Sequence, residues 1–391
     1  MKFDDVSIDD LRAAGSLKWS AFPQHLGMFV AEMDFGVAEP IQRVLHRYAH
    51  STGIGYRSTA AKVALQEATA QWLGRATGFH PDPAHIFAVP DVVSSAHFVI
   101  DALTDPGSPV ILPTPSYMAF CDLIPQMGRE LISVPSPVVN GRYTIDLAGI
   151  AQAFEAGAQL LILVNPWNPT GRVLEREELA AIADLVSQYP HAYVFSDEIH
   201  APLALDRPHI TYSQVSAAAA AHSVTALAAS KGWNIPGLKC AQLLATPQVS
   251  ARLEPGLSWA QNVTSTIGSA AAVAAYTESE EWLADVIDYI RGNRDEVEQA
   301  VAQIPGMAMH HIEGTYIAWF DFSEAIEAGL IPNDSQTCIA QWLRDNAGVA
   351  LTPGAACGCG HRQFARCVLA TPRHIVRQAI EQIAHALAPL A

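Results

Sequence analysis

Five short apolar runs constrain this chain most: HIFAVP (85–90), SPVILP (108–113), LLILVN (160–165), AYVFSD (192–197) and SVTALAAS (223–230). Each has strand length and a β-rich composition. Between them lie stretches with helical spacing of apolar residues, such as LEREELAAIADLVSQY (174–189). That rhythm implies an α/β fold with a mostly parallel central sheet flanked by helices. Each run also ends in residues with chemistry: Pro90-Asp91, Pro113-Thr114-Pro115, Asn165-Pro166, Asp197-Glu198 and Ser230-Lys231. Open α/β sheets bind ligands beyond the carboxyl ends of their strands, so these ends are expected to converge on one pocket.

With 391 residues, half of them hydrophobic, the chain can bury one or two sizeable cores. Its formal charge of -16, without a Lys/Arg cluster, argues against a nucleic-acid partner. The N-terminal MKFDDVSIDDLRAAG is acidic and lacks an apolar signal region, and no apolar run is long enough to span a membrane. A cytoplasmic protein is expected. Six cysteines in a chain of this length do not make a disulfide framework. Cys357, Cys359, His361 and Cys367 cluster in AACGCGHRQFARC, but C-x-C is tighter than the usual spacing of a structural zinc site. The expectation there is a Gly/Cys turn without metal.

The segment EEWLADVIDYIRGNRDEVEQAVAQI (280–304) keeps helical periodicity with only Gly292 as a breaker, and suits a bridge between two domains. Beyond it, GMAMHHIEGTYIAWFDF reads as strand, turn, strand, and RHIVRQAIEQIAHALAPL as a closing amphipathic helix. The expected organisation is an N-terminal segment (1–48) joining a small α+β C-terminal domain (286–391), with a large domain (49–285) between them.

Two residues stand out chemically. Lys231 follows the small-residue run TALAAS, whose wall would desolvate the amine and lower its pKa toward that of a nucleophile. Asp197 ends an apolar strand, where a carboxylate needs either a cationic partner or backbone amides. Ahead of both, VNPWNPTGRV (164–173) places two prolines and a glycine in a turn before a helix.

NPWNPTG, SDEIH and ASKGWNIPGLK, in this order and at this spacing, resemble the fold-type I pyridoxal-phosphate (PLP) enzymes of the aminotransferase class I/II superfamily. The likeness extends to LKWSAFPQHLGMFVAEMDF, GIGY (53–56), PTPSYMAF, EGTYIAWFDF and the segment ending in ATPR. AEMDF, SDEIH and ATPR are similar to the MalY/PatB-type cystathionine β-lyases within it. The resemblance implies that Lys231 carries the cofactor and then removes the substrate α-proton, that Asp197 pairs with the pyridine nitrogen, that Asn168 binds the ring hydroxyl and that Tyr117 stacks on the ring. For the phosphate it implies the amides of Val92 and Val93, with Ser230 and Lys239, and Tyr56 from a second subunit of a homodimer. Arg366 is implied as the clamp on the substrate carboxylate, with Arg373 as the competing choice, and Trp19, His200 and Tyr316 as pocket walls. Relatives commonly carry serine where this chain has Ala228, and often glycine where it has Asp91. The implied reaction is β-elimination from L-cystathionine or related L-cysteine S-conjugates. A class I/II aminotransferase and a non-catalytic PLP-binding regulator are the alternatives.

Overall fold

A computed structural model describes residues 3–52, 54–333 and 338–388; Gly53 of the GIGY motif lies outside them. The central sheet has seven strands: β1 (Ile86–Val89), β2 (Val110–Thr114), β3 (Leu131–Pro135), β4 (Leu160–Val164), β5 (Tyr193–Asp197), β6 (Ser223–Leu227) and β7 (Ala241–Leu244). Their order is β1-β7-β6-β5-β4-β2-β3, parallel throughout except that β7 runs against both neighbours. Every residue of β2, β4 and β6 is buried, as expected of strands covered by helices on both faces. The order reverses between β2 and β4, which opens a crevice at the carboxyl ends there. The five apolar runs correspond to β1, β2, β4, β5 and β6, although β6 stops at Leu227, and Ala229–Gly232 form a helical turn carrying Lys231.

A smaller antiparallel sheet follows: β8 (Ala308–Met309), β9 (Ile317–Asp321), β10 (Thr352–Pro353) and β11 (Phe364–Val368), in the order β8-β9-β11-β10. The N-terminal segment reaches this part of the chain, because Leu26–Gly27 pair in parallel with Val349–Ala350. The expected boundary at 285/286 falls inside the continuous helix Glu280–Val301. Gly292, its one glycine, has a packing reason: a Cβ there would lie 2.4 Å from Arg373 Nη2.

Two large buried apolar clusters hold most of the core of the described residues. One packs the two faces of the central sheet, with Val110, Leu161, Ile162, Phe195 and Val224 among its members. The other joins N-terminal residues such as Trp19 and Met28 to the long helices and to Ile317 and Phe320 of the small sheet. The crevice at the strand ends is thereby walled by both parts of the chain.

Candidate active site

Since β7 is antiparallel to both β1 and β6, those two strands run the same way, and the chain leaves β1, β2, β4, β5 and β6 at one edge of the sheet. A cavity of about 400 Å³ lies there, lined by Asp91, Tyr117, Asn168, Asp197, His200 and Lys231. The Lys231 ammonium donates to the Ala31 carbonyl at 2.7 Å. Burial, reinforced by the nearby Arg366 guanidinium, pulls its pKa down to about 8. Burial drives Asp197 the other way, up to about 7, against one stabilising hydrogen bond from the Ile199 amide at 3.1 Å. Asp197 makes no ion pair with a described residue; the charge of Lys231 acts on it only at a distance. His200 is buried with its Nδ1 unpartnered, and burial holds its pKa well below the usual imidazole value.

At another edge of the cavity Val92 and Val93 begin the helix Val92–Leu103, whose first-turn amides and dipole favour an anion. Asp91 caps this helix by accepting from the Ser94 amide at 2.7 Å. Its other oxygen pairs with Lys239 Nζ at 3.1 Å, so the acid at the anion-binding edge is tied to a lysine and a helix end. Ser230 and Lys239 line the same cavity, as does Ser94, whose proximity was not anticipated. The VVSS run after Asp91 signals it: a serine in the first turn of a helix opening at a strand end is within reach of a bound anion.

A second cavity, of about 580 Å³, shares Ala31, Tyr117 and Lys231 with the first and adds Arg366. Arg366 lies on β11 and is 3 % exposed. It donates through Nη1 to Asn168 Oδ1 at 3.2 Å, and through Nη2 to the Phe29 carbonyl at 2.8 Å and Thr352 Oγ1 at 3.3 Å, while its Nε has no partner. Here an unspent guanidinium donor, a carboxylate lacking a cation and an amine of lowered pKa line two connected cavities, one of which opens onto a helix N-terminus. The donor set fits a phosphorylated, cationic aromatic aldehyde: amides, Ser230 and Lys239 for phosphate, Asp197 for a protonated ring nitrogen, and Lys231 for the carbonyl.

The sequence matches the family Aminotransferase class I and II over residues 30–383. This chain belongs to that family. Within the family it is 33% identical to a cystathionine beta-lyase of Corynebacterium glutamicum, over 99% of this chain and 100% of that one. It is 30% identical to the cystathionine beta-lyase PatB of Bacillus subtilis, over 91% and 93% of the two chains. It also superimposes on PLP-containing cystalysin from Treponema denticola with a TM-score of 0.88 at 26% identity, covering 98% of this chain and 97% of that one.

Not every residue implied by the family faces the two cavities. Trp19 does not line either cavity: it is 1 % exposed, and its Nε1 donates to Asp34 Oδ1 at 3.0 Å. Asp34 is also the partner of Lys18 at 2.7 Å, and this fully buried ion pair needs the indole N–H to satisfy its second oxygen. Tyr316 stands behind the wall, donating its hydroxyl to the Ala31 carbonyl at 2.9 Å, the acceptor that Lys231 also uses. Tyr56, expected to act on a second subunit, is 100% exposed and lines neither cavity of its own. Arg373 is no rival to Arg366: its guanidinium stacks over Tyr289 at 4.6 Å and donates to Asn293 Oδ1 at 2.9 Å. Among the described residues no cluster of His, Cys, Asp and Glu could hold a metal ion, and Cys357 and Cys367 are buried while Cys359 is exposed.

Glu198, which directly follows β5, is fully buried. Its carboxylate accepts from Ser196 Oγ at 2.9 Å and the Tyr212 amide at 2.8 Å, and contacts His209 Nε2 at 2.7 Å. This buried network pins the chain on the far side of Asp197 and fixes the direction in which Asp197 projects. Two of its three partners are eleven and fourteen residues away, so only the acidic doublet itself hints at the network.

Proposed function

We propose that this protein is a PLP-dependent carbon–sulfur β-lyase that cleaves L-cystathionine or related L-cysteine S-conjugates to a thiol, pyruvate and ammonia. The observation that carries the proposal is Lys231, an amine lowered to about 8 and lining both the cavity with Asp197 and the cavity with Arg366. Support for the C–S lyase chemistry comes from full-length relatives named as cystathionine beta-lyases.

Asp197 would pair with the pyridine nitrogen, an ionised carboxylate being favoured there by the ring's positive charge. Asn168, whose Oδ1 is engaged by Arg366, would use its amide NH₂ for the ring hydroxyl. Tyr117 would cover a ring face. Val92, Val93, Ser230 and Lys239 would hold the phosphate. When bound, the cofactor supplies an electron sink for the pair left on the substrate α-carbon.

Arg366 would orient the substrate by its α-carboxylate, for which a planar guanidinium is geometrically matched. Lys231, with its amine free once substrate is bound, would take the α-proton on Nζ. The Cβ–S bond breaks with its electron pair on sulfur, and Lys231 can return the proton to the departing thiolate. The three-carbon remainder hydrolyses to pyruvate and ammonia. An amine near 8 suits both halves of this transfer, since at neutral pH a far larger share of it is unprotonated than of an ordinary lysine at 10.5.

A homodimer fits the same reading. Tyr56 at 100%, Ile54 at 64% and Trp259 at 65% exposure offer an apolar surface that a second copy would cover, with Tyr56 reaching the partner's phosphate. No helix among the described residues is long and apolar enough to cross a membrane, and a cytoplasmic enzyme is proposed.

The test is incubation of the PLP-loaded protein with L-cystathionine and a thiol reagent. Free thiol and pyruvate should form together without any added 2-oxo acid. Turnover only when an oxo acid is supplied would make the protein an aminotransferase, and a protein that turns yellow with PLP yet forms no product with or without an oxo acid would be a PLP-binding regulator.

A further inference from the structure

The cavity that contains Arg366 contains a second arginine, Arg344. Arg344 sits in the last turn of the helix Ile339–Ala347 and holds its guanidinium over the Phe22 ring, 4.5 Å from the centroid. Its only ion-pair contact among the described residues is a long one, 3.8 Å to Asp345 Oδ1, a carboxylate 58% exposed to water. It donates no hydrogen bond to a described residue, although its side chain is only 27% exposed. In a chain with formal charge -16, a half-buried guanidinium with its donors uncommitted beside the reacting lysine's cavity is a ready carboxylate receptor.

The two arginines are connected through aromatic residues. Phe22, under Arg344, packs edge-on against Phe29 with centroids 5.3 Å apart, and the Phe29 carbonyl accepts from Arg366 Nη2. Phe29, Met118 and Leu351 give the same cavity an apolar wall. A ligand that suits it has a carboxylate for Arg366, an apolar linker such as a thioether for the wall, and a second carboxylate for Arg344.

We propose that Arg344 is a specificity-determining residue that binds a carboxylate carried by the leaving thiol, so that preferred substrates are L-cysteine S-conjugates with a second carboxylate on the leaving portion. This rests on the C–S lyase reading. Arg344 touches the leaving portion alone and takes no part in proton transfer or bond cleavage.

The experiment compares L-cystathionine with S-ethyl-L-cysteine, which has the same reacting end and no second carboxylate. Binding is read from the spectral change of the PLP-loaded protein on titration, and elimination from pyruvate formation. Arg344→Ala should weaken cystathionine about 10- to 30-fold in apparent Kd and in kcat/KM, mainly through KM, as for one partly solvated charge-assisted contact. Arg344→Glu should weaken it further, and both variants should leave S-ethyl-L-cysteine within about twofold of the parent protein, since the missing contact is made to the leaving group alone. Equal losses for the two ligands, or no loss for either, would overturn the proposal. The two readings fail separately. Arg344-dependent titration without pyruvate from either ligand would sink the lyase reading and keep the carboxylate receptor, whereas pyruvate formation with cystathionine binding indifferent to Arg344 would do the reverse.

Discussion

Replacing Lys231 by methionine should abolish turnover and yet stabilise the cofactor-free protein at neutral pH. In the folded protein, burial holds the amine near 8, against 10.5 for an unperturbed lysine. Between those values the unfolded chain binds a proton that the folded chain has released. The lysine therefore imposes no penalty above about 10.5; the penalty grows as pH falls toward 8 and is fully developed below that. At about 1.4 kcal/mol per pK unit, the gap corresponds to about 3 kcal/mol of stability missing at neutral pH. Methionine has a similar unbranched shape and carries no charge. It forfeits the hydrogen bond to the Ala31 carbonyl, worth about 1 kcal/mol, but that oxygen keeps the Tyr316 hydroxyl. The net gain is about 2 kcal/mol. With an unfolding entropy of about 2.1 cal/mol/K per residue, a chain of 391 residues should melt roughly 2–3 °C higher. Thermal scans of both cofactor-free proteins at pH 7 and near pH 10.5 measure this. A variant that melts below its parent at pH 7, or a gain equally large at both pH values, would refute the reasoning.

Other consequences follow at the edges of the site. Asp91→Asn should keep the helix cap, free Lys239 and remove a negative charge where the phosphate docks, tightening PLP binding about 3- to 10-fold in an absorbance titration; weaker binding would contradict the placement of the phosphate. Trp19→Phe should cost about 1–2 kcal/mol by removing a donor from buried Asp34, and leave KM for cystathionine within about twofold; a large rise in KM would return Trp19 to the substrate site. Glu198→Ala should lower the melting temperature by about 4–6 °C, the effect of about 3–5 kcal/mol lost when His209, Ser196 and the Tyr212 amide are stranded, and an unchanged melting temperature would show that the network does not hold the strand end.

What could be read from the sequence was local. Lys231 and Asp197 stand at the ends of strands so apolar that a charged group there demands a reason, and five of the seven central strands were visible as apolar runs. The strand β7 was not, because Gln242 interrupts its short apolar run; the glutamine is buried all the same, its Oε1 accepting from the Tyr276 hydroxyl at 2.9 Å. Trp19 was misassigned because an aromatic residue in a shared motif looks the same whether it faces a ligand or completes a buried ion pair. Arg344 and Phe22 are more than three hundred residues apart, and nothing near either announces the other. The Asp91–Lys239 pair is of the same kind: the two residues are 148 positions apart in the chain and meet only because β7, which follows Lys239, pairs with β1, which ends before Asp91.

The site as built requires that one particular lysine carries the cofactor. Borohydride reduction of the PLP-loaded protein, followed by peptide mass mapping, tests this most directly. A phosphopyridoxyl group on Lys231 alone is the predicted result; modification of Lys239 instead, or of neither lysine in a visibly yellow protein, would contradict it.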